Sequence, residues 1–264
     1  VSERMASRQQ NQVESVVWYE QMREFVNPEN LSLNEVEVLV QPLILKYPDA
    51  HHFHFLLGHA YTSRGHWEAA YEHFVAAIEL THPGSELWFA LAPLAVINGH
   101  LNRYQELCQQ VVEYGFAFHD NQSKVRASTK LLSLTENSIE NIRIAEHINN
   151  TPLPAEGGIR SCFISDRTIA DYRNDDFAAV VEGAMPIEVL SISTLPRMFI
   201  AARFVSAMSY HKLGETKKAR TLFEEAEAYY LGPNFSPDGK QLYTNTWPAD
   251  SYTQLIYEEA KALL

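Results

Sequence analysis

The sequence predicts an all-α protein made of antiparallel helix pairs that stack on one another. Between His51 and Pro83, large apolar residues recur every three or four positions, which is the spacing of one face of a helix. Gly65 interrupts this pattern at the point where two helices need a tight turn. The same pattern returns twice further along the chain, and such repetition indicates a repeat protein.

Composition supports a folded protein with a large core and narrows the range of partners. Of the 264 residues, 46% are hydrophobic and 20% are charged, which is too apolar for a disordered chain. The formal net charge of −12 disfavours nucleic acid and anionic membrane surfaces, because these are bound mainly through Lys and Arg. No apolar stretch approaches the length of a membrane span. We therefore expect a protein or peptide partner, with no nucleic acid and no membrane.

The two cysteines predict a reducing location. Cys108 and Cys162 lie far apart among apolar residues, and neither belongs to a metal-binding spacing. We expect both to be reduced core thiols, which suits the cytoplasm. The first residues, Val1 to Met5, contain no apolar segment typical of a signal peptide. Because the sequence does not begin with Met, we expect it to be a piece of a longer protein.

Residues 1–50 predict a helix pair that caps the N-terminal end of the array. Helical spacing extends over residues 8–26 and 32–47. Ser32 and Glu35 have the Ser-x-x-Glu spacing of a capping box, in which each side chain bonds the backbone N–H of the other residue. The second helix is therefore expected to begin directly after Ser32.

Residues 51–150 are predicted to form repeated helix pairs, in which the same core positions recur from pair to pair. Small residues let helix backbones approach closely, and large residues fill the space between neighbouring pairs. In the first pair the small ones are Gly58, Ala70 and Ala77, and the large ones are Leu57, Tyr61, Trp67 and Phe74. Gly99 follows Gly65 after 34 residues, and Trp88 and Leu91 fit the same repeat. Residues 120–149 predict a further helix pair.

Residues 160–231 predict a second group of repeats. Its clearest copy matches the first pair position for position at Ala207, Tyr210, Gly214, Ala219, Phe223 and Ala226. Asp175 stands where an earlier corner would carry its turn glycine. Residues 151–159 are rich in Pro and Gly and predict a loop between the two groups. Residues 232–264 predict a loop followed by a helix from Ser251 to Leu264, which caps the array.

These units resemble the tetratricopeptide repeat family. Besides the spacing, the resemblance rests on three motifs, Trp88–Ala92, Tyr104–Cys108 and His211–Ala219. Over residues 50–264 the order of units is similar to the tetratricopeptide regions at the C-termini of large planctomycete and verrucomicrobial proteins linked to kinase or WD40 domains. The resemblance implies a right-handed superhelix, or α-solenoid, that serves as a protein–protein interaction scaffold and as an arm of a larger signalling protein.

The sequence predicts no catalytic residues, no cofactor and no metal site. It contains neither a Gly-x-Ser-x-Gly elbow nor the kinase motifs. Adjacent carboxylates such as Glu224 and Glu225 diverge on a helix and do not form an acid–base pair. We therefore expect a protein that is not an enzyme. The alternative is a small-ligand or metal-sensing domain that uses the histidines between His51 and His59, because neutral imidazole binds zinc and nickel.

The resemblance also implies a binding groove, because in this family the first helix of each pair lines the concave face. The residues at groove positions are His52, Phe55, His59, Phe89, Val96, Phe204, Met208 and His211. This apolar, aromatic lining fits a hydrophobic peptide or helix. The alternative is that an N- or C-terminal helix, or a tight superhelix, already fills the groove. Pro93 either kinks its helix and changes the curvature of the groove or ends that helix early.

Overall fold

The computed structural model describes seven segments of the chain, and the prediction of an all-α fold is confirmed for them. The described residues are 2–25, 31–81, 87–115, 131–135, 158–188, 200–232 and 247–264. Every regular element in these ranges is helical. The eleven helices are α1 (Ser2–Phe25), α2 (Leu33–Lys46), α3 (His51–Thr62), α4 (Trp67–Glu79), α5 (Leu87–Ile97), α6 (Leu101–Gly115), α7 (Gly158–Arg173), α8 (Phe177–Glu188), α9 (Ile200–Lys212), α10 (Thr216–Tyr230) and α11 (Trp247–Leu263).

The described helices fall into two compact units, each with its own core. The first unit contains α1 to α5, and the second contains α6 to α10 together with α11 from Pro248 onward. In the first unit, Met22 of α1 packs with Val36 and Val40 of α2 and with residues of α3. In the second unit, Ala207 and Tyr210 of α9 pack with Ala219 and Leu222 of α10.

The start of α2 is fixed by the predicted capping box. The Ser32 hydroxyl oxygen accepts a hydrogen bond from the Glu35 backbone N–H at 3.4 Å. In return, Glu35 Oε2 accepts one from the Ser32 backbone N–H at 2.8 Å. Two N–H groups that the helix itself leaves unpaired are thereby satisfied, so the helix begins at this point.

Left-handed residues form the corners between helices, as the repeat spacing predicts. Gly65, Gly99 and Gly214 have φ angles of 75°, 75° and 85°, which a residue with a Cβ rarely adopts. Asp175, predicted to replace a turn glycine, has a φ of 59°. A short polar side chain makes Asp one of the few residues that accept this conformation. Because these corners are short, α3–α4, α7–α8 and α9–α10 are antiparallel hairpins.

Within each unit, successive helix pairs pack in the same manner. In the first unit, α3 packs against α4 and also against α1 and α2, and α4 packs against α5. In the second unit, α7 packs against α8, and α9 packs against α7, α8 and α10. In both units, therefore, the first helix of a pair touches both helices of the preceding pair, which buries an apolar face that one pair alone would expose.

Other sequence predictions concern the ends of elements. Helix α5 continues through Pro93 to Ile97, so it does not end early. The capping helix α11 begins at Trp247, about one turn before the predicted start. Of the predicted helix pair at 120–149 and loop at 151–159, all but residues 131–135 and 158–159 lie outside the described residues. Within the described segments, no helix combines the length and the apolar character needed to cross a membrane.

Candidate functional site

The first repeat, α3–α4, is held by a close contact between a glycine and a phenylalanine. Phe74 of α4 is fully buried and lies against Gly58 of α3. A Cβ added at Gly58 would stand 2.8 Å from Phe74 Cε2, closer than real Cβ contacts. Ala70 and Ala77, the predicted small residues of α4, are also fully buried. This packing fixes the α3 surface on which the predicted groove residues lie.

Two predicted groove residues, Phe55 and His59, lie half-buried on α3. Their ring centroids are 5.9 Å apart. The Phe55 ring also meets the Phe74 ring edge-on, with centroids 5.6 Å apart and planes at 80°. Burial lowers the pKa of His59 to about 4, so its imidazole is neutral at neutral pH. This part of α3 therefore presents an uncharged, partly exposed aromatic surface.

The remaining predicted groove residues of the first unit have different surroundings. His52 is half-buried, and its ring lies 5.2 Å from the ring of Tyr19, so α1 covers part of the predicted groove. Val96 of α5 is half-buried. Phe89 lies in α5, but its side chain is outside the described residues. The open part of the predicted groove in this unit is therefore the surface around Phe55 and His59.

In the second unit, the prediction that Phe204 and Met208 line an open groove is wrong. Neither side chain has exposed surface. The Phe204 ring lies 5.3 Å from the ring of Tyr257 in α11, and the Tyr172 hydroxyl donates a hydrogen bond to Met208 Sδ at 3.4 Å. His211, the third predicted residue of this unit, is half-buried. The physical reason for the error is that neighbouring helices cover this face, α11 at Phe204 and α7 at Met208.

Tyr257 is the aromatic residue of α11 that packs onto the α9–α10 pair. Its ring is almost parallel to that of Phe223, with planes 7° apart and centroids 6.2 Å apart. The Tyr230 ring lies 5.0 Å away. Burial and a 2.8 Å hydrogen bond to Glu227 Oε1 raise the pKa of Tyr257 to about 12, so the phenol keeps its proton and the bond. The sequence pattern predicts a capping helix here but does not identify the residue that holds it.

Arg173 connects α11 to the interior of the second unit. Its side chain is 1% exposed and forms a two-pronged ion pair with Glu259 of α11, at 2.7 and 2.6 Å. It also donates to the backbone carbonyls of Ser133 and Leu134, at 2.9 and 3.3 Å. This arrangement satisfies a buried guanidinium, which would otherwise be strongly unfavourable. No spacing in the sequence links residue 173 to residue 259, so sequence analysis missed the pair.

Two buried phenols lie in the same interior. The Tyr104 hydroxyl donates to the Leu131 carbonyl at 2.9 Å, and burial raises the pKa of Tyr104 above its ordinary value. Burial likewise raises the pKa of Tyr252, which is 4% exposed. Both phenols therefore stay protonated at neutral pH, and we assign them a role in holding the fold.

The histidines of the first repeat form a pair that sequence analysis did not predict. Nδ1 of His54 in α3 and Nδ1 of His73 in α4 lie 3.1 Å apart, so one ring donates a hydrogen to the other. Tyr61 stacks on His73, with centroids 5.4 Å apart and planes 13° apart, and its hydroxyl donates to Glu37. Burial, and then the neighbouring His54, lowers the pKa of His73 to about 4. Spacing along the sequence groups the histidines of α3 alone, although the hairpin brings α4 beside them.

In the described part of the chain, no group of three or more His, Cys, Asp or Glu side chains is placed to hold a metal ion. Cys108 is buried and forms no disulfide, and the side chain of Cys162 lies outside the described residues.

A cleft of about 660 Å³ lies in the first unit next to His51 and His52. Its walls come from α1 near Val16, from the α2–α3 connection at Asp49, and from the end of α4 at Glu79. Burial lowers the pKa of both histidines, so the cleft combines neutral imidazoles with carboxylates. Such a lining suits a small polar ligand that carries hydrogen-bond donors.

Large apolar side chains are exposed mainly on α1 and α2. The most exposed are Leu45 at 82% and Val13 and Val38 at 66% each, and Trp18 is 44% exposed. Seven of the eleven exposed large apolar residues in the described segments belong to these two helices: Val13, Val16, Val17, Trp18, Val38, Leu39 and Leu45. A concentration of apolar surface of this kind commonly marks a site of protein–protein interaction.

No protein-family model matches the sequence, and no curated protein matches it. The likeness of the helix pairs to tetratricopeptide repeats therefore stays a resemblance based on spacing and motifs.

Proposed function

We propose that this protein is a non-catalytic interaction scaffold that holds a segment of another protein against its first unit. The observation that carries the proposal is the exposed apolar surface of α1 and α2, where Leu45, Val38 and Val13 are each at least 66% exposed. Burying such surface against a partner is favourable by about 25 cal/mol per Å² of apolar area removed from water. Without a partner, this surface stays in contact with water and that stabilisation is absent.

The aromatic surface on α3 supports the same proposal. Phe55 and His59 are half-buried and uncharged, and they stand at positions that line the concave face in proteins with this repeat spacing. We infer that an apolar peptide or an amphipathic helix docks there, with one large side chain against Phe55. Because the chain carries a net charge of −12, a segment with basic residues flanking its apolar anchor fits best.

The wider arrangement belongs to the proposal too. We place the helix pairs in a right-handed, tetratricopeptide-like superhelix, because α3 and α9 each contact both helices of the preceding pair. We further propose that the protein acts in the cytoplasm, which suits a buried cysteine, Cys108, that forms no disulfide. In this proposal the scaffold serves as an arm of a larger signalling protein.

A quantitative pull-down from the native cell extract tests the proposal with three matched proteins. Val38→Glu/Leu45→Glu changes the apolar surface of the first unit, and Phe55→Ala truncates the α3 aromatic surface. Leu213→Glu/Leu231→Glu is the control, because these residues are exposed leucines of the second unit, at 46% and 63%. Circular dichroism and Tm show that each variant is folded.

We expect a partner that wild type and the second-unit control retain and that both first-unit variants lose. Retention by all variants contradicts the proposal. Loss from the second-unit control alone would place the partner on the other unit, which also contradicts it.

A small-ligand function is a second candidate, and the cleft beside His51 and His52 favours it. Its test is a thermal-shift screen of small polar metabolites with wild type and His52→Gln. A compound that raises the Tm of wild type and not that of the variant supports this candidate, and an absence of any such compound counts against it.

A further inference from the structure

The hydrogen-bonded pair of His54 and His73 has the geometry of two ligands to one ion. Their Nδ1 atoms face each other at 3.1 Å across the α3–α4 hairpin. Zinc–imidazole bonds are about 2.0–2.1 Å long, so two nitrogens at this separation subtend about 100° at a shared ion. That angle lies between the right angle of square or octahedral geometry and the tetrahedral angle. An ion at this angle lies off the line that joins the two nitrogens, so each ring turns by about 40° from a linear hydrogen bond to direct its lone pair at the ion.

We propose that His54 and His73 bind one divalent transition-metal ion through their Nδ1 atoms, in place of the hydrogen that the two rings share. The ion class follows from the ligands, because imidazole suits zinc, nickel and copper. The proposal goes beyond the scaffold function and does not depend on it.

Neighbouring groups favour a cation at this position. Glu37 of α2 is close enough to His73 to influence its protonation, and its carboxylate accepts a hydrogen bond from Tyr61 at 2.5 Å. Glu72 of α4 adds negative charge on the same side, since it acts on the Tyr61 phenol. The Tyr61 ring stacks on the imidazole of His73 and fixes its plane. A ligand ring whose orientation is held by packing is better organised for binding.

The coordination sphere is incomplete within this chain. Among the described residues, no third His, Cys, Asp or Glu joins the pair as a ligand. The remaining positions are left for water or for a group from a bound partner. In the α9–α10 pair, Arg203 and Leu222 stand at the equivalent positions, so that pair lacks the site.

Isothermal titration calorimetry of the full chain, with Zn²⁺ and Ni²⁺ in separate titrations, tests the proposal. The variants are His54→Gln and His73→Gln, and His66→Gln is the matched control, since His66 is an exposed histidine of the same repeat. We expect wild type and the control to bind one ion per chain. We expect each pair variant to lose more than the 10- to 100-fold that follows from changing an outer-shell group.

The proposal is overturned if wild type binds neither ion, or if both pair variants bind as wild type does. Should a variant fail to fold, X-ray absorption of zinc-loaded wild type decides the matter. Two imidazole ligands in the zinc coordination sphere support the proposal, and a sphere without two imidazoles overturns it.

Discussion

The two best-matched repeats, α3–α4 and α9–α10, share one internal framework but differ in what covers it. Their corners carry Gly65 and Gly214, both with positive φ. In α3–α4 the rings of Phe55 and Phe74 have centroids 5.6 Å apart, and the equivalent pair in α9–α10 has the same separation. Repeat spacing therefore sets the geometry inside a helix pair closely enough to reproduce an aromatic contact.

The coverage of that aromatic pair is where the repeats diverge. Phe204 has no exposed surface, because Tyr257 of α11 packs against it at 5.3 Å. Phe55, at the equivalent position, is half-buried. The same residue type at the same repeat position is thus core in one unit and partly exposed in the other. The difference shows that groove positions in a repeat array acquire their role from the neighbouring elements.

A second difference lies in the first helix. Gly58 leaves room for Phe74 to be fully buried, whereas Ala207 stands at the equivalent position of α9. Phe223, the counterpart of Phe74, is half-buried and stacks on Tyr257 in addition to its contact with Phe204. Phe223 thus keeps a partner in the first helix of its own pair and has a second one in α11.

Truncating the two equivalent phenylalanines should give the largest contrast. We expect Phe204→Ala to lower the free energy of unfolding by about 3–5 kcal/mol, because it opens a cavity under α11. Phe55→Ala should cost about 1–2 kcal/mol, because part of the ring is already in water. Urea denaturation of both variants measures the contrast, and equal losses would refute the assignment of Phe204 to the core and Phe55 to the surface.

Releasing α11 should expose the aromatic pair of α9–α10, as the equivalent pair in α3–α4 is already partly exposed. Glu259→Ala leaves the buried guanidinium of Arg173 without its carboxylate. We expect the free energy of unfolding to fall by about 3 kcal/mol, the lower end for a broken buried ion pair, because Glu259 is itself partly exposed. Hydrogen exchange in α11 should speed up in the same variant. Glu258→Ala, the exposed neighbour, is the control and should change stability by less than about 0.5 kcal/mol. Similar losses in the two variants would show that the ion pair does not hold α11.

Exchanging the small residues at the equivalent positions should be unfavourable in both directions. Gly58→Ala gains about 1 kcal/mol of helix propensity but crowds the buried Phe74 ring, and we expect a net loss of about 1–2 kcal/mol. Ala207→Gly should lose about 0.5–1 kcal/mol through backbone entropy. Thermal denaturation measures both. A Gly58→Ala variant more stable than wild type would mean that the close contact with Phe74 does not constrain the hairpin.

The smallest expected effect is a pH dependence confined to the first repeat. The pKa of His73 is about 4 in the folded protein and about 6.5 in the unfolded chain, so unfolding takes up a proton between these values. Stability should therefore be full above pH 6.5 and fall as the pH drops toward 4, by about 1 kcal/mol from this partly exposed residue. His73→Leu, which installs the residue type of Leu222, should make that slope shallower in urea denaturation but not remove it, because the pKa of His59 is also lowered to about 4. His66→Leu is the control, and an equally shallow slope in the control would contradict the role assigned to His73.

The sequence predicts features that depend on neighbouring residues and misses those that depend on distant ones. The capping box at Ser32, the corner glycines and the left-handed Asp175 all follow from short-range chemistry. Burial of Phe204 and Met208 depends on Tyr257 of α11 and Tyr172 of α7, which lie far away in the sequence. The Arg173–Glu259 and His54–His73 pairs likewise require knowledge of which helices meet.

The most direct test of the account is photo-crosslinking from one position in each unit. A photoreactive phenylalanine derivative replaces Phe55, on the partly exposed surface of α3, or Phe223, which stacks on α11. We predict that the protein labelled at position 55 crosslinks to another polypeptide in the native extract, while the protein labelled at position 223 crosslinks within its own chain to α11. A partner captured from position 223 and not from position 55 would contradict the account, because it would place the open face in the second unit.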